Sequence, residues 1–211
     1  MTYLLLPGWA MLGSIYTDLN LNEPSIVPET ADWFLDPWPI ASCLRQNGIR
    51  TISCVAFSMG ATVLARWMTH LGCHIDHLHI IGARQRYPER DLTGIRRLIA
   101  KDRDAFLTQF YQSCFQSAPD RNRFNQFIAP KAKRAWDDSL LLAGLDVLSK
   151  PLDIDGLRRA HRITVYHGES DIIAPFNEAH ALAESLSADL ISLPNMGHCP
   201  LLSPDFNLCI T

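Results

Sequence analysis

No uninterrupted apolar run approaches the roughly 20 residues that a membrane-spanning helix needs. There is no Cys-x-x-Cys pair either. The six cysteines, at positions 43, 54, 73, 114, 199 and 209, are scattered, and several lie in apolar surroundings as reduced core thiols do. That usage points to a cytoplasmic compartment. Positive charge is not in excess: a net charge of -3 and a pI of about 6.2 argue against a general nucleic-acid binder. The opening residues, Met1-Thr2-Tyr3-Leu4-Leu5-Leu6-Pro7, carry no basic n-region and too short an apolar stretch for a signal peptide. Internal repeats and low-complexity segments are missing too. What is left is an ordinary globular composition, 47% hydrophobic and 19% charged, over 211 residues, which suffices for one domain with an insertion.

Along the chain, residues 3–6 read as a short buried strand that Pro7-Gly8-Trp9 breaks at once. Ile15 to Leu21 suggests a short helix, and Ser25-Ile26-Val27-Pro28 a weaker strand. An aromatic-rich connection through Trp33, Phe34 and Trp38 leads into a helix ending near Asn47-Gly48, followed by a strand from Arg50 to Val55. Ala61, Leu64, Ala65 and Met68 share one helical face, Gly72 ends that helix, and His77 to Gly82 reads as the next strand. Alternating strands and helices imply a parallel sheet covered by helices.

From Ala83 to about Lys150 the alternation stops, and the pattern is helical throughout. Ile95, Leu98, Ile99, Phe106, Phe110 and Phe115 recur at helical spacing; Trp136, Leu140, Leu141, Ala143, Leu145 and Leu148 form a second set. We read residues 83–150 as a helical insertion over one end of the sheet, with residues 1–82 and 151–211 as the core. Plain core packing would explain the same aromatic stripe. Strands resume at Arg162 to Gly168 and Asp189 to Leu193, flanking a helix through Asn177 to Leu186, and a short helix is expected after Pro204.

Chemistry concentrates where Arg50–Val55 gives way to Ala56-Phe57-Ser58-Met59-Gly60. A β-branched run, a serine between small residues and a helix-forming segment make up a nucleophile elbow, in which the serine is thrust out of a strained turn. The usual pattern has glycine two residues before the serine, where this chain has Ala56. An ordinary strand-to-helix turn, with the hydroxyl capping the helix, is the competing explanation.

A serine hydroxyl needs a base, and the base needs a third group to orient it. Asp171, in Gly168-Glu169-Ser170-Asp171, follows one predicted strand, and His198, in Gly197-His198-Cys199-Pro200, follows the last. The order Ser58, Asp171, His198 is the one an elbow-type hydrolase requires, and open parallel sheets place their sites at these strand ends. Glu169 competes for the acid role. Two backbone N–H groups must face the developing oxyanion; those of Met59 and of Trp9, in the loop after the first strand, are the candidates. Phe57, Phe110 and the Trp9 indole are candidate walls of a substrate pocket. His70, Cys73, His74, His77 and His79 raise the question of a metal, but they divide between a helix end and a strand face without carboxylate backing. No metal or other cofactor is expected.

These residues make the chain resemble the α/β-hydrolase superfamily over nearly its full length. It is most similar to the pimeloyl-[acyl-carrier-protein] methyl ester esterases of biotin synthesis. The similarity rests on Leu6-Pro7-Gly8-Trp9, the elbow, Gly168-Glu169-Ser170-Asp171, Gly197-His198-Cys199-Pro200, and above all Leu142-Ala143-Gly144-Leu145-Asp146-Val147-Leu148 leading into Asp153-Ile154. It implies an α/β-hydrolase fold with a mostly parallel sheet, flanking helices and a helical lid, although the usual N-terminal hairpin is missing. It also implies hydrolysis of a methyl ester on a pimeloyl chain carried by acyl carrier protein. A monomer is expected, and the charge and the short apolar runs lead us to expect neither a nucleic-acid nor a membrane partner. Arg96, Arg97, Arg121 and Arg123 of the insertion would dock the acidic carrier. Interleaved Asp102, Asp104 and Asp120 allow an ordinary solvated face instead. Two alternatives stay open: a hydrolase of small free esters, thioesters or lactones, and a non-catalytic acyl-binding protein.

Overall fold

A computed structural model describes residues 1–208. The apolar runs become six strands: β1 (Thr2–Leu6), β2 (Ser25–Ile26), β3 (Thr51–Phe57), β4 (His74–Ile81), β5 (Arg162–Gly168) and β6 (Asp189–Leu193). They pair in the order β2-β1-β3-β4-β5-β6, and every neighbouring pair is parallel. Helices cover both faces of such a sheet, so its inner strands read as near-continuous apolar runs. In β3 and β5 only the first residue escapes burial.

The helices are α1 (Trp38–Gln46), α2 (Met59–Trp67), α3 (Glu89–Cys114), α4 (Ala118–Phe127), α5 (Ala129–Ala135), α6 (Asp138–Leu148), α7 (Ile154–Leu157) and α8 (Phe176–Leu186). Five of them, α3 to α7, follow one another between β4 and β5. The long α3 is really two arms. Asp102 takes a non-helical conformation (φ -163°, ψ 93°), and its carboxylate accepts the Ala105 N–H at 2.9 Å, capping the second arm.

The elbow strand β3 lies inside the sheet, with β1 on one side and β4 on the other. After it, α2 lies so close to β1 that a Cβ at Gly60 would overlap the Leu6 carbonyl. Only glycine lets the helix start at that distance.

Four expectations need correction. The stretch Ile15 to Leu21 forms no α-helix, only a 3-10 turn over Gly13–Tyr16. No side chain caps its start, and the Asp and Asn residues that follow favour turns over helix. The second strand is only two residues long, confined between Pro24 and Pro28. β4 begins three residues earlier than the pattern suggested, at His74, because a register shift at Ile52/Ser53 lets the pairing continue. Beyond Pro204 the chain forms a turn, not a helix, as far as residue 208; residues 209–211 lie outside the described part. Among the described residues, no helix is long and apolar enough to cross a membrane.

Candidate active site

Ser58 is the single residue between β3 and α2, and its backbone is left-handed in φ (φ 51°, ψ -114°). A non-glycine residue held there stores strain, and the fold must over-determine it. Part of that constraint is the Ser58 N–H, which donates to the Ile81 carbonyl at 2.8 Å. The hydroxyl does not cap α2. It lies 3.1 Å from His198 Nε2 instead, which removes the ordinary-turn explanation. Ala56 needs no special backbone: it is a fully buried β3 residue in register with Leu6 and Ile80.

Behind His198, Nδ1 lies 2.8 Å from Asp171 Oδ2. An ionised carboxylate only accepts, so Nδ1 carries the proton and Nε2 is left to accept from Ser58 O–H. Asp171 is buried yet well supplied with donors. Its Oδ1 accepts the N–H groups of Ile173 (2.8 Å) and Ala174 (2.9 Å). His167 Nε2 donates to the Ala174 carbonyl at 2.6 Å and lies 3.4 Å from Asp171 Oδ2. Burial pushes the Asp171 carboxyl up. The charge of His198, with hydrogen bonds from His167, His198 and the Ala174 N–H, outweighs that and holds it well below the usual range. Glu169, the competitor, is exposed and accepts from the Ser192 hydroxyl.

The Gly8-Trp9 loop reaches the serine. A Cβ at Gly8 would stand 3.3 Å from Ser58 Cβ, which puts the Trp9 amide on the flank of Ser58, while Met59 starts α2 directly after it. The loop is tied to the helical stretch by three side chains. Trp9 Nε1 donates to the Leu141 carbonyl (3.0 Å), Tyr111 O–H to that of Ala10 (2.8 Å), and Trp136 Nε1 to that of Met11 (2.9 Å). The Trp9 indole fills the space where a side chain at Gly144 would stand, which gives the Gly144-Leu145-Asp146 phrase a packing role.

A cavity of about 280 Å³ adjoins the site. Its walls come from both arms of α3, with Leu92, Ile95 and Leu98 from one and Phe106 and Phe110 from the other, and from Ile172 and Ile173 after the acid. The aromatic stripe of the sequence is thus divided: Ile99 and Phe115 are core, while Ile95, Leu98, Phe106 and Phe110 line the cavity. Phe57 and Trp9 do not line it. Phe57 packs against the His198 ring, centroids 5.1 Å apart, and Trp9 backs Phe110 at 5.2 Å.

No family model matches the chain, and no curated protein sequence matches it significantly. Solved structures do match. An esterase from Exiguobacterium antarcticum superposes with a TM-score of 0.76 at 17% identity, covering 96% of this chain and 86% of its own. A bromoperoxidase from Bacillus anthracis gives 0.74 at 18%, covering 94% and 85%. An esterase from Thermogutta terrifontis gives 0.75 at 18%, covering 96% and 84%.

The fold is that of an α/β-hydrolase.

Within this α/β-hydrolase fold, the four arginines singled out for docking are anchored differently. Arg96 pairs with Asp146 of α6 at 2.8 Å, and Arg123 with Asp18. Among the described residues Arg97 and Arg121 make no ion pair, and Arg97 is exposed. His77 and His79 stack at 3.8 Å and reach the hydroxyls of Thr164 and Tyr166. Burial, with His77 and Arg162 beside it, pushes His79 down to about 3. Among the described residues no three metal-ligating side chains converge.

Two residues of the site escaped the sequence reading. His167 sits four residues before Asp171, inside a strand that reads as plain core. Tyr87, whose hydroxyl lies 3.4 Å from Ser58 Oγ, follows the carboxyl end of β4. The strand-end rule that located Asp171 and His198 would have located Tyr87 as well.

Proposed function

We propose that this protein is a serine carboxylesterase that hydrolyses the methyl ester of a pimeloyl chain carried on acyl carrier protein. The observation that carries the esterase reading is the hydrogen-bonded chain Ser58–His198–Asp171 on a strained elbow. Ser58 Oγ attacks the ester carbonyl as His198 Nε2 takes its proton, and Asp171 steadies the imidazolium. The amides of Met59 and Trp9 receive the oxyanion. His198 then protonates the departing methanol oxygen. Water, deprotonated by His198, attacks the acyl-enzyme; the acid leaves and Ser58 recovers its proton.

The finer substrate is supported by three features. The family phrase Gly144-Leu145-Asp146 holds Trp9 beside the nucleophile. An apolar cavity of about 280 Å³ suits a hydrocarbon chain. The unpaired Arg97 and Arg121 offer charge to an acidic carrier. A second reading, turnover of small free esters, draws on the esterases among the similar solved structures.

Turnover of carrier-linked pimeloyl methyl ester against the free methyl ester separates the two readings. The first expects strong preference for the carrier-linked form, and a loss of that preference in an Arg97→Glu/Arg121→Glu variant. Equal turnover of both forms would favour the free-ester reading.

A further inference from the structure

The serine hydroxyl has one proton, and geometry commits it to His198 Nε2. The Tyr87 hydroxyl, 3.4 Å away on another side, can then only donate to Ser58 Oγ. Burial pushes the Tyr87 phenol up to about 12, so it keeps its proton at neutral and mildly alkaline pH. The ring is held in place. The Arg84 guanidinium lies over it at 5.1 Å, fixed in turn by the Glu178 carboxylate and the Ile173 carbonyl. Tyr87 also lines the apolar cavity, so a substrate acyl or alcohol group meets it beside the nucleophile.

Attack changes what this phenol faces. Once the Ser58 Oγ lone pair becomes the new C–O bond, that oxygen is a poor acceptor. Both other oxygens of the tetrahedral intermediate are then only two bonds from Oγ, within the phenol's reach, and one of them is charged. We propose that Tyr87 is a further catalytic residue, which transfers its hydrogen bond from neutral Ser58 Oγ to an oxygen of the tetrahedral intermediate. A donor that gains a charged acceptor only after attack binds the transition state better than the ground state, and so raises kcat more than it lowers KM. This inference rests on the serine-esterase reading and adds a donor beside the two backbone amides.

The test uses the full chain with p-nitrophenyl butyrate as substrate and butylboronic acid as a tetrahedral mimic. Tyr87→Phe keeps the ring and the cavity wall. It should lower kcat by about 100-fold, the lower end of the range for losing one oxyanion donor. KM should stay within about twofold, and boronate inhibition should weaken by the same factor as kcat. Arg84→Met, which frees the ring but keeps the hydroxyl, should give a smaller loss of the same kind. An unchanged kcat, or a loss in which KM and boronate affinity move equally along with a lowered melting temperature, would overturn the role of Tyr87 alone. Absence of turnover by the unaltered protein, with no acylation of Ser58, would overturn the esterase reading and this role together.

Discussion

Two regions meet at the cavity, and they are built by different means. The sheet end that holds Ser58, Asp171 and His198 is fixed by the backbone: Asp171 Oδ1 collects two amides, Ser58 N–H is bound to Ile81, and Cys199 N–H to the Cys114 carbonyl. The helical stretch from α3 to α6 is fixed by side chains: stacked or edge-on rings and three long hydrogen-bonding aromatics that reach the Gly8-Trp9 loop. Polar backbone bonds have one good geometry, whereas apolar contacts tolerate many. On the proposed esterase reading, the contrast puts chemistry on the rigid side and selectivity on the adaptable one.

The strongest way to sharpen that contrast is Asp171→Asn. Without a carboxylate, His198 loses its preferred tautomer, and kcat should fall by about 10⁴-fold while the melting temperature changes little. Steady-state kinetics beside a thermal melt checks this. Acid is the next largest effect, and it belongs to the sheet. His79 is neutral in the fold down to about 3, whereas an unfolded histidine titrates near 6.5. The unfolded chain therefore binds the extra proton in that window, and stability present at neutral pH drains away as pH falls from about 6.5 toward 3. Urea unfolding should record a loss on the order of 3 kcal/mol between pH 7 and pH 4, flattened in His79→Gln.

Gly60→Ala sets a methyl group against the Leu6 carbonyl and should cost about 1–3 kcal/mol, read from the denaturation midpoint. A change on the adaptable side should behave differently. Phe110→Ala widens the cavity at its partly exposed wall, and it should raise KM for medium-chain esters by about tenfold with kcat nearly unchanged. If Phe110→Ala lost kcat as Asp171→Asn does, the division between the two regions would fail.

The same division decided what could be read from the sequence. Strands β1, β3 and β5 announce themselves as apolar runs because both faces are buried, and the elbow does so because its steric demands are local. Asp171 and His198 follow from strand ends alone. The break of α3 at Asp102 was not visible, since a capping Asp inside a charged run looks like any solvated residue. Tyr87 was open to the same strand-end rule, but its 3.4 Å approach to Ser58 Oγ was not visible, since it depends on where a loop returns in space. Phe57, adjacent to Ser58 in sequence, packs on the His198 ring and does not line the cavity.

The most direct test of the account asks whether Ser58 is the nucleophile. A fluorophosphonate probe added to the full chain, followed by intact and peptide mass spectrometry, should place one adduct on Ser58, none in Ser58→Ala, and a greatly slowed one in His198→Ala. Equal labelling of the Ser58→Ala protein would contradict it.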